Sequence, residues 1–321
     1  MSEKTIIIAT RGSALALVQA NAVLAECRRK FPRRAFELKI IRTTGDRLQK
    51  ASMAKNDPSL PRGLFTKELE VALLRGRADL AVHSLKDLPT ELPEGLMLGA
   101  VGGKRADVRD LLIYRDLNHD GFKSKMRLGD FPKGLTIATS STRRRAQLLA
   151  IRPDFNVIEI RGNVTTRLQK LADQPALGGT ILAAAGLGRL KFQIKASGKL
   201  IGEGVPEGLL TVPLSLDEML PCVGQGAIGL EIREGDERIA EICRRLNDKS
   251  TLACVTAERS LLRAMGGGCQ SPIGAYAQVV SEHVHLQAVS FVGPKTRRAE
   301  GKAPLGGEAA LGQKIAAELI K

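Results

Sequence analysis

The stretch LTIATSSTRRRAQLLA, residues 135–150, reads as a strand, a turn carrying Ser140 and Ser141, and a helix that starts at once. The same grammar stands near the start of the chain. TIIIAT (5–10) is a buried strand, Arg11-Gly12-Ser13 is the turn, and Leu15, Val18, Ala22 and Ala25 mark one face of a helix over 14–29. Further units follow: the strand ELKIIRTT (37–44), the helix LFTKELEVALLRG (64–76), the strand DLAVHS (79–84), then NVIEIRGN and TTRLQKLAD around 156–173. Such alternation predicts α/β layers with mostly parallel strands.

These junctions have a common chemistry. A serine before a helix caps it, and the free N–H groups with the helix dipole favour an anion. Arg143, Arg144 and Arg145 crowd a helix start, where cations oppose that dipole at about 0.3–1 kcal/mol each when exposed. A bound anion would offset the cost.

Glycine and proline punctuation at 92–104 and 202–226 marks crossing points. The predicted organisation is a discontinuous α/β lobe from 1–102 and 227–246, a second α/β lobe over 103–226, and a small α+β domain over 247–321. In the last, a helix ACVTAERSLLRAM, two alternating runs (AYAQVV, VHLQAVSFV) and a closing helix EAALGQKIAAELI are legible. The two lobes would face each other across a cleft.

The chain has 321 residues, 43% hydrophobic and 26% charged, the balance of a folded protein of several domains. No run is long and apolar enough for a bilayer, and no signal or transit peptide is visible, which predicts no membrane association. Five cysteines without a CxxC pair suggest neither a disulfide framework nor a zinc ribbon, and fit a reducing cytoplasm. The net charge of +15 attracts polyanions, but with no Trp and only two Tyr the platforms for stacking bases are scarce, so no nucleic-acid partner is expected. No GxGxxG or P-loop stands at a strand-to-helix turn, and His83, His119, His283 and His285 form no metal cluster.

Arg11, Arg143, Arg144, Arg161, Arg167 and Arg189 all fall at strand ends or helix starts, as a polycarboxylate or phosphate site requires. HSLKDLP (83–89) places Lys86 beside Asp87 before a proline turn; a carboxylate there can hold a substrate N–H, move a proton or stabilise a cation. KNDPSLPRGLF (55–65) has the composition of a lid, with Lys55 and Arg62 carrying charge over the site. Cys27, Cys243 and Cys254 fit helical apolar spacing, and Cys222 lies in a crossover. Cys269, in GGGCQSPIG (266–274), stands on a bare glycine loop that something bulky could approach. A two-lobed anion-binding protein without catalysis is the alternative that the lobes alone permit.

ATRGS, RGLFTKELE, HSLKDLP, TSSTRRRAQL, RGNVTTRL, AAAGLGRL, VGQGA, TAERSLLR and GGGCQSPIG, in this order, resemble the porphobilinogen deaminase family. The resemblance implies two periplasmic-binding-protein-like lobes joined by two crossovers, and a third domain carrying a dipyrromethane cofactor as a thioether on Cys269. It implies an ammonia-releasing transferase of tetrapyrrole and heme biosynthesis that adds four porphobilinogen molecules head to tail onto that primer and releases hydroxymethylbilane. Carried over by position, Asp87 and Lys86 are catalytic and also hold the cofactor. Ser13, Ser84, Ser140, Ser141, Arg143, Arg144, Arg161, Gly162 and Arg189 bind the cofactor. Arg11, Gln19, Phe65, Arg161, Arg167, Arg189 and Gln225, with Lys55 and Arg62 of the lid, bind substrate. No metal is expected, and the chain is expected to be a monomer. Arg62 stands where the bacterial pattern has lysine, and segments 115–133 and 191–217 are longer than in short bacterial members.

Overall fold

The computed structural model describes residues 4–44, 66–116, 124–268 and 270–321. Along the first part run β1 (Ile6–Arg11), α1 (Ala14–Lys30), β2 (Phe36–Ile41), α2 (Lys67–Leu74), β3 (Leu80–Ser84) and β4 (Leu96–Val101). The chain then crosses over to β5 (Asp110–Arg115), β6 (Thr136–Ala138), α3 (Thr142–Ile151), β7 (Asn156–Ile158), α4 (Val164–Asp173), β8 (Gly179–Ala183) and α5 (Ala184–Arg189). A hairpin of β9 (Gln193–Ile194) and β10 (Leu200–Ile201) leads to β11 (Leu209–Pro213). A second crossover returns to β12 (Ile228–Arg233) and α6 (Glu237–Leu246). Last come α7 (Lys249–Ala264), β13 (Ile273–Val280), β14 (His283–Ser290), β15 (Arg297–Pro304) and α8 (Glu308–Ile320).

The strand order of the first sheet is β2-β1-β3-β12-β4 and that of the second is β7-β6-β8-β5-β11. In each, the strand next to the edge strand arrives by a crossover and runs antiparallel to its neighbours, while the others are mutually parallel. The repeat seen faintly in the sequence is therefore a repeat of topology. Both sheets are covered on both faces, as parallel strands require. Ile6, Ile8, Leu80 and Val82 pack with α1 and α6, whereas Ala9 and Ala81 meet Leu69 and Leu73 of α2. In the second sheet Leu112, Tyr114 and Ile137 face Leu148 of α3, and Leu111, Ile113 and Ala138 face Leu168 of α4.

The third unit is an antiparallel sheet, β13-β14-β15, with α7 and α8 packed together on one face. Gly312 permits that contact: a Cβ there would collide with the Ala257 carbonyl and the Leu261 amide of α7. β15 carries no apolar alternation, and the sequence reading missed it. Its inward positions are Ala299, Gly301 and Ala303, and at Gly301 a Cβ would stand 3.1 Å from Ile315 and 3.3 Å from Leu311. β4 and β11 likewise lie inside stretches that read as glycine and proline punctuation. Helix α2 is described from Lys67; the residues from 64 to 65 expected to open it lie outside the described residues.

Candidate active site

At the end of β3 the Ser84 hydroxyl donates to Gln19 Oε1 at 3.0 Å. The next residues make one tight turn, Leu85–Asp87, pinned by fully buried Leu85 and by the Leu88 amide on the Leu85 carbonyl at 3.1 Å. Arg259 of α7 holds the exit of the turn by donating to the Leu88 and Pro89 carbonyls at 3.0 and 2.6 Å. Lys86 is thus half-buried and Asp87 exposed on a braced turn. Burial pushes the Lys86 ammonium down; adjacent Asp87 opposes this and Arg144 adds to it.

Arg144 belongs to the opposite lobe. Ser141 caps α3, accepting from the Arg144 amide at 3.4 Å, and the first turn buries both Arg143 and Arg144. Asp110, at the start of β5, faces them. Arg144 donates to Asp110 Oδ1 and to the Ile181 carbonyl at 2.8 and 2.7 Å. Arg143 lies 2.8 Å from Asp110 Oδ2, an ion pair without hydrogen-bond alignment, and donates to the Leu220 carbonyl at 2.7 Å. The anion facing these helix-start cations is therefore internal, at least in part. Burial alone would raise the Asp110 pKa, but the two guanidiniums outweigh it and hold the carboxyl far below its ordinary value.

Of the other arginines, Arg167 comes within electrostatic reach of Arg144 and Asp87, and Arg189, Arg11 and Arg161 have other surroundings. Ser140 joins the ends of β6 and β7, donating to the Ile160 carbonyl at 2.6 Å and accepting from the Ile160 amide at 3.2 Å. Gly162 follows with φ +120°, a backbone that disfavours any side chain, and a Cβ there would stand 2.7 Å from Thr166. Arg167 Nε donates to the Gly162 carbonyl at 2.8 Å. Burial lowers its pKa to about 10, with nearby Arg144 adding to the effect and Asp87 opposing it. Arg189 ends α5 and does not start a helix as the sequence suggested; it donates to the Gly226 carbonyl at 2.7 Å, and burial lowers its pKa. Arg11 is half-buried at the end of β1, beside the α1 cap Ser13, which accepts from the Ala16 amide at 3.3 Å. Arg161 is exposed, 3.5 Å from Glu159.

The second crossover completes the floor. Gln225 donates to Asp110 Oδ1 and the Val108 carbonyl at 3.0 and 2.7 Å. Its Oε1, like Gln19 Nε2, is buried without a partner among the described residues. Gly226 has φ +85°, and a Cβ would come within 2.5 Å of the Ala106 carbonyl, so this close crossing needs glycine. Glu258 of α7 ties the third unit on: it pairs with Arg105 at 2.6 Å and accepts from the Gly224 and Ala277 amides, both at 2.8 Å.

Cys269, Lys55, Arg62, Phe65 and His119 lie outside the described residues. The neighbours of position 269 do not. Gly268 lines a small cavity with Leu85, Lys86, Cys222 and Arg259, and Gln270 accepts through its carbonyl from the Thr142 hydroxyl at the start of α3. The site thus gathers Lys86, Asp87, Arg143, Arg144 and Arg167 with residues of the third unit. Asp110, Glu258, Arg105 and Arg259 were not anticipated; their partners are remote in sequence, and no local pattern marks them.

Burial raises the Cys27 and Cys243 thiols to about 12 and Cys254 to about 11. Brief treatment of the native protein with iodoacetamide at about pH 8 is expected to leave all three unmodified, because the thiolate is the nucleophile. Peptide mass mapping checks this, and rapid labelling of any of them would contradict the burial.

Among the described residues there is no group of His, Cys, Asp or Glu that could hold a metal, and no helix long and apolar enough to cross a membrane. A family profile described as porphobilinogen deaminase, dipyromethane cofactor binding domain, matches residues 6–241, and the corresponding C-terminal domain profile matches 252–321. The chain is 42% identical over 322 residues to the porphobilinogen deaminase of Desulforudis audaxviator, covering 99% of this chain and 95% of that one. It is 44% identical over 291 residues to that of Chloroherpeton thalassium, covering 91% and 83%. Among solved structures, a probable amino-acid ABC transporter extracellular-binding protein of Bacillus subtilis aligns with 76% of this chain and 90% of its own, at TM-score 0.42 and 11% identity. The chain belongs to the porphobilinogen deaminase family.

Proposed function

We propose that this chain condenses porphobilinogen into a linear tetrapyrrole, releasing ammonia at each addition, on a dipyrromethane primer attached through Cys269. The reading is supported above all by the charge imbalance at the site. Lys86 lies in electrostatic reach of Asp87, Asp110 and Arg144, Arg167 in reach of Asp87 and Arg144, and Asp110 faces Arg143 and Arg144, so four cations share two carboxylates there. A ligand bearing an acetate and a propionate on every pyrrole ring supplies the missing negative charge. The orphaned Gln19 Nε2 and Gln225 Oε1 add one buried donor and one buried acceptor.

That donor set fits the primer. Arg143, Arg144, Arg189, Ser13, Ser84, Ser140, Ser141 and Lys86 would hold its side chains, Gly162 would let the backbone approach, and Asp87 would face its ring N–H groups. When bound, the dipyrromethane supplies the pyrrole carbon at which the chain is extended. Arg11, Gln19, Arg161, Arg167, Arg189 and Gln225, with Lys55, Arg62 and Phe65, receive the incoming monomer. Asp87 accepts the substrate N–H, stabilises the positive charge that appears as ammonia leaves, and takes the proton released after carbon–carbon bond formation. Its braced turn keeps it in place for all three tasks.

Two lobes at 1–102 with 227–246 and at 103–226, and a cofactor-bearing domain at 247–321, complete the proposal, together with a monomeric state and a cytoplasmic location. Intact mass spectrometry tests it. Freshly isolated active protein is expected to exceed the mass of its sequence by one two-ring pyrrole unit, and a mass equal to the bare chain would overturn the primer assignment.

A further inference from the structure

A second concavity lies at the free edge of the second sheet, beyond β7. It holds about 380 Å³ and is lined by apolar Ile158, Ile160 and Leu177 and by charged Glu159, Arg161 and Lys170. It adjoins the inner site through two consecutive carbonyls. Lys170 Nζ donates to the Arg161 carbonyl at 3.1 Å, while Arg167, one turn earlier on α4, donates to the Gly162 carbonyl at 2.8 Å. One helix thus presents Lys170 to the outer cavity and Arg167 to the electrostatic reach of Asp87 and Arg144.

We propose that this cavity is an outer subsite that captures free porphobilinogen before it reaches the inner site, an inference that rests on the function proposed above. The monomer carries two carboxylates and one aminomethyl cation on a flat apolar ring. The cavity carries two cations, Arg161 and Lys170, one carboxylate, Glu159, and an apolar wall. The charges match in number and sign. Glu159 and Arg161 now approach each other only to 3.5 Å with 62% and 45% of their side chains exposed, so separating them to meet a ligand costs little. Glu159 also gives the cavity a preference. Only the unreacted monomer still has its amino group, so the site favours substrate over the deaminated chain.

Steady-state kinetics of Lys170→Met and Glu159→Gln test the assignment. Each variant is expected to raise KM for porphobilinogen about fivefold, the equivalent of about 1 kcal/mol for an exposed charge pair, with the loss confined to KM. A competitive inhibitor identical to the monomer except for methyl in place of aminomethyl separates the two roles: Lys170→Met weakens its inhibition, and Glu159→Gln leaves it unmoved. Unchanged KM in both variants, or a fall in kcat alone, overturns the outer subsite while turnover by the parent chain still upholds the proposed reaction. Absence of porphobilinogen turnover by the parent chain overturns both.

Discussion

Asp87→Asn is expected to leave the fold intact and to lower turnover by about a thousandfold, within the range of about 10²–10⁴ for loss of a positioned acid–base group. The side chain is exposed at the end of the Leu85–Asp87 turn, and the packing that fixes this turn comes from Leu85, Leu88 and Arg259. Nothing in the core depends on the carboxylate. Asparagine has the same shape, so the melting temperature is expected to move by no more than a degree or two. Its amide, however, neither neutralises a pyrrole cation nor accepts a proton. Removal of the charge also leaves Arg167 without the carboxylate that favours its charged form, and Lys86 with only the weaker influence of Asp110. Ammonia release and tetrapyrrole formation, followed together on protein whose intact mass verifies the primer, measure the effect; turnover within tenfold of the parent chain would remove Asp87 from the chemistry. Asp87→Glu keeps the charge about one methylene out of place and is expected to recover part of the rate.

How far such residues could be read in advance depends on the range of the forces that place them. Ser13 and Ser141 cap their helices, and the α1 and α3 boundaries follow, because capping is a contact between residues three apart. Lys86 and Asp87 were legible because a buried strand ends just before them. The arginine set was legible as a group, but its internal partner was not. Asp110 opens a strand in RADVRDLLIYR like any solvated aspartate, and only the return of β5 beside β8 brings it to α3. Glu258 sits on α7 among buried positions, where a carboxylate looks misplaced until Arg105 and two backbone amides arrive from far along the chain. β15 escaped for the opposite reason. Its inward residues are small, and smallness leaves no hydrophobic period to detect.

Asp110→Asn is expected to destabilise the protein by about 3–5 kcal/mol, as breaking a buried ion pair by loss of one partner does. Asp110 is completely buried, and Arg143 and Arg144 are 3% and 6% exposed, so neither guanidinium can turn to water when the carboxylate is gone. Each keeps one backbone carbonyl, Leu220 or Ile181, which balances hydrogen bonding but not charge. Gln225 loses an acceptor in the same step, which loosens the crossover beside Asp87. At about 2–4 °C per kcal/mol for chains of this size, the melting temperature is expected to fall by about 10 °C. Acid should narrow the gap. Because the Asp110 pKa is depressed in the folded state, its stabilising contribution is complete above the unfolded carboxyl pKa near about 4 and is lost as pH falls toward the folded value, whereas asparagine does not titrate. The parent and variant melting temperatures, measured by calorimetry at neutral pH and again at about pH 3, are therefore expected to draw closer in acid without meeting, because Asp110 in the folded protein is still ionised at that pH. A neutral-pH difference below about 2 °C would mean that Arg143 and Arg144 do not depend on Asp110 for their charge balance, and the role given to Asp110 as their internal counter-ion would have to be withdrawn.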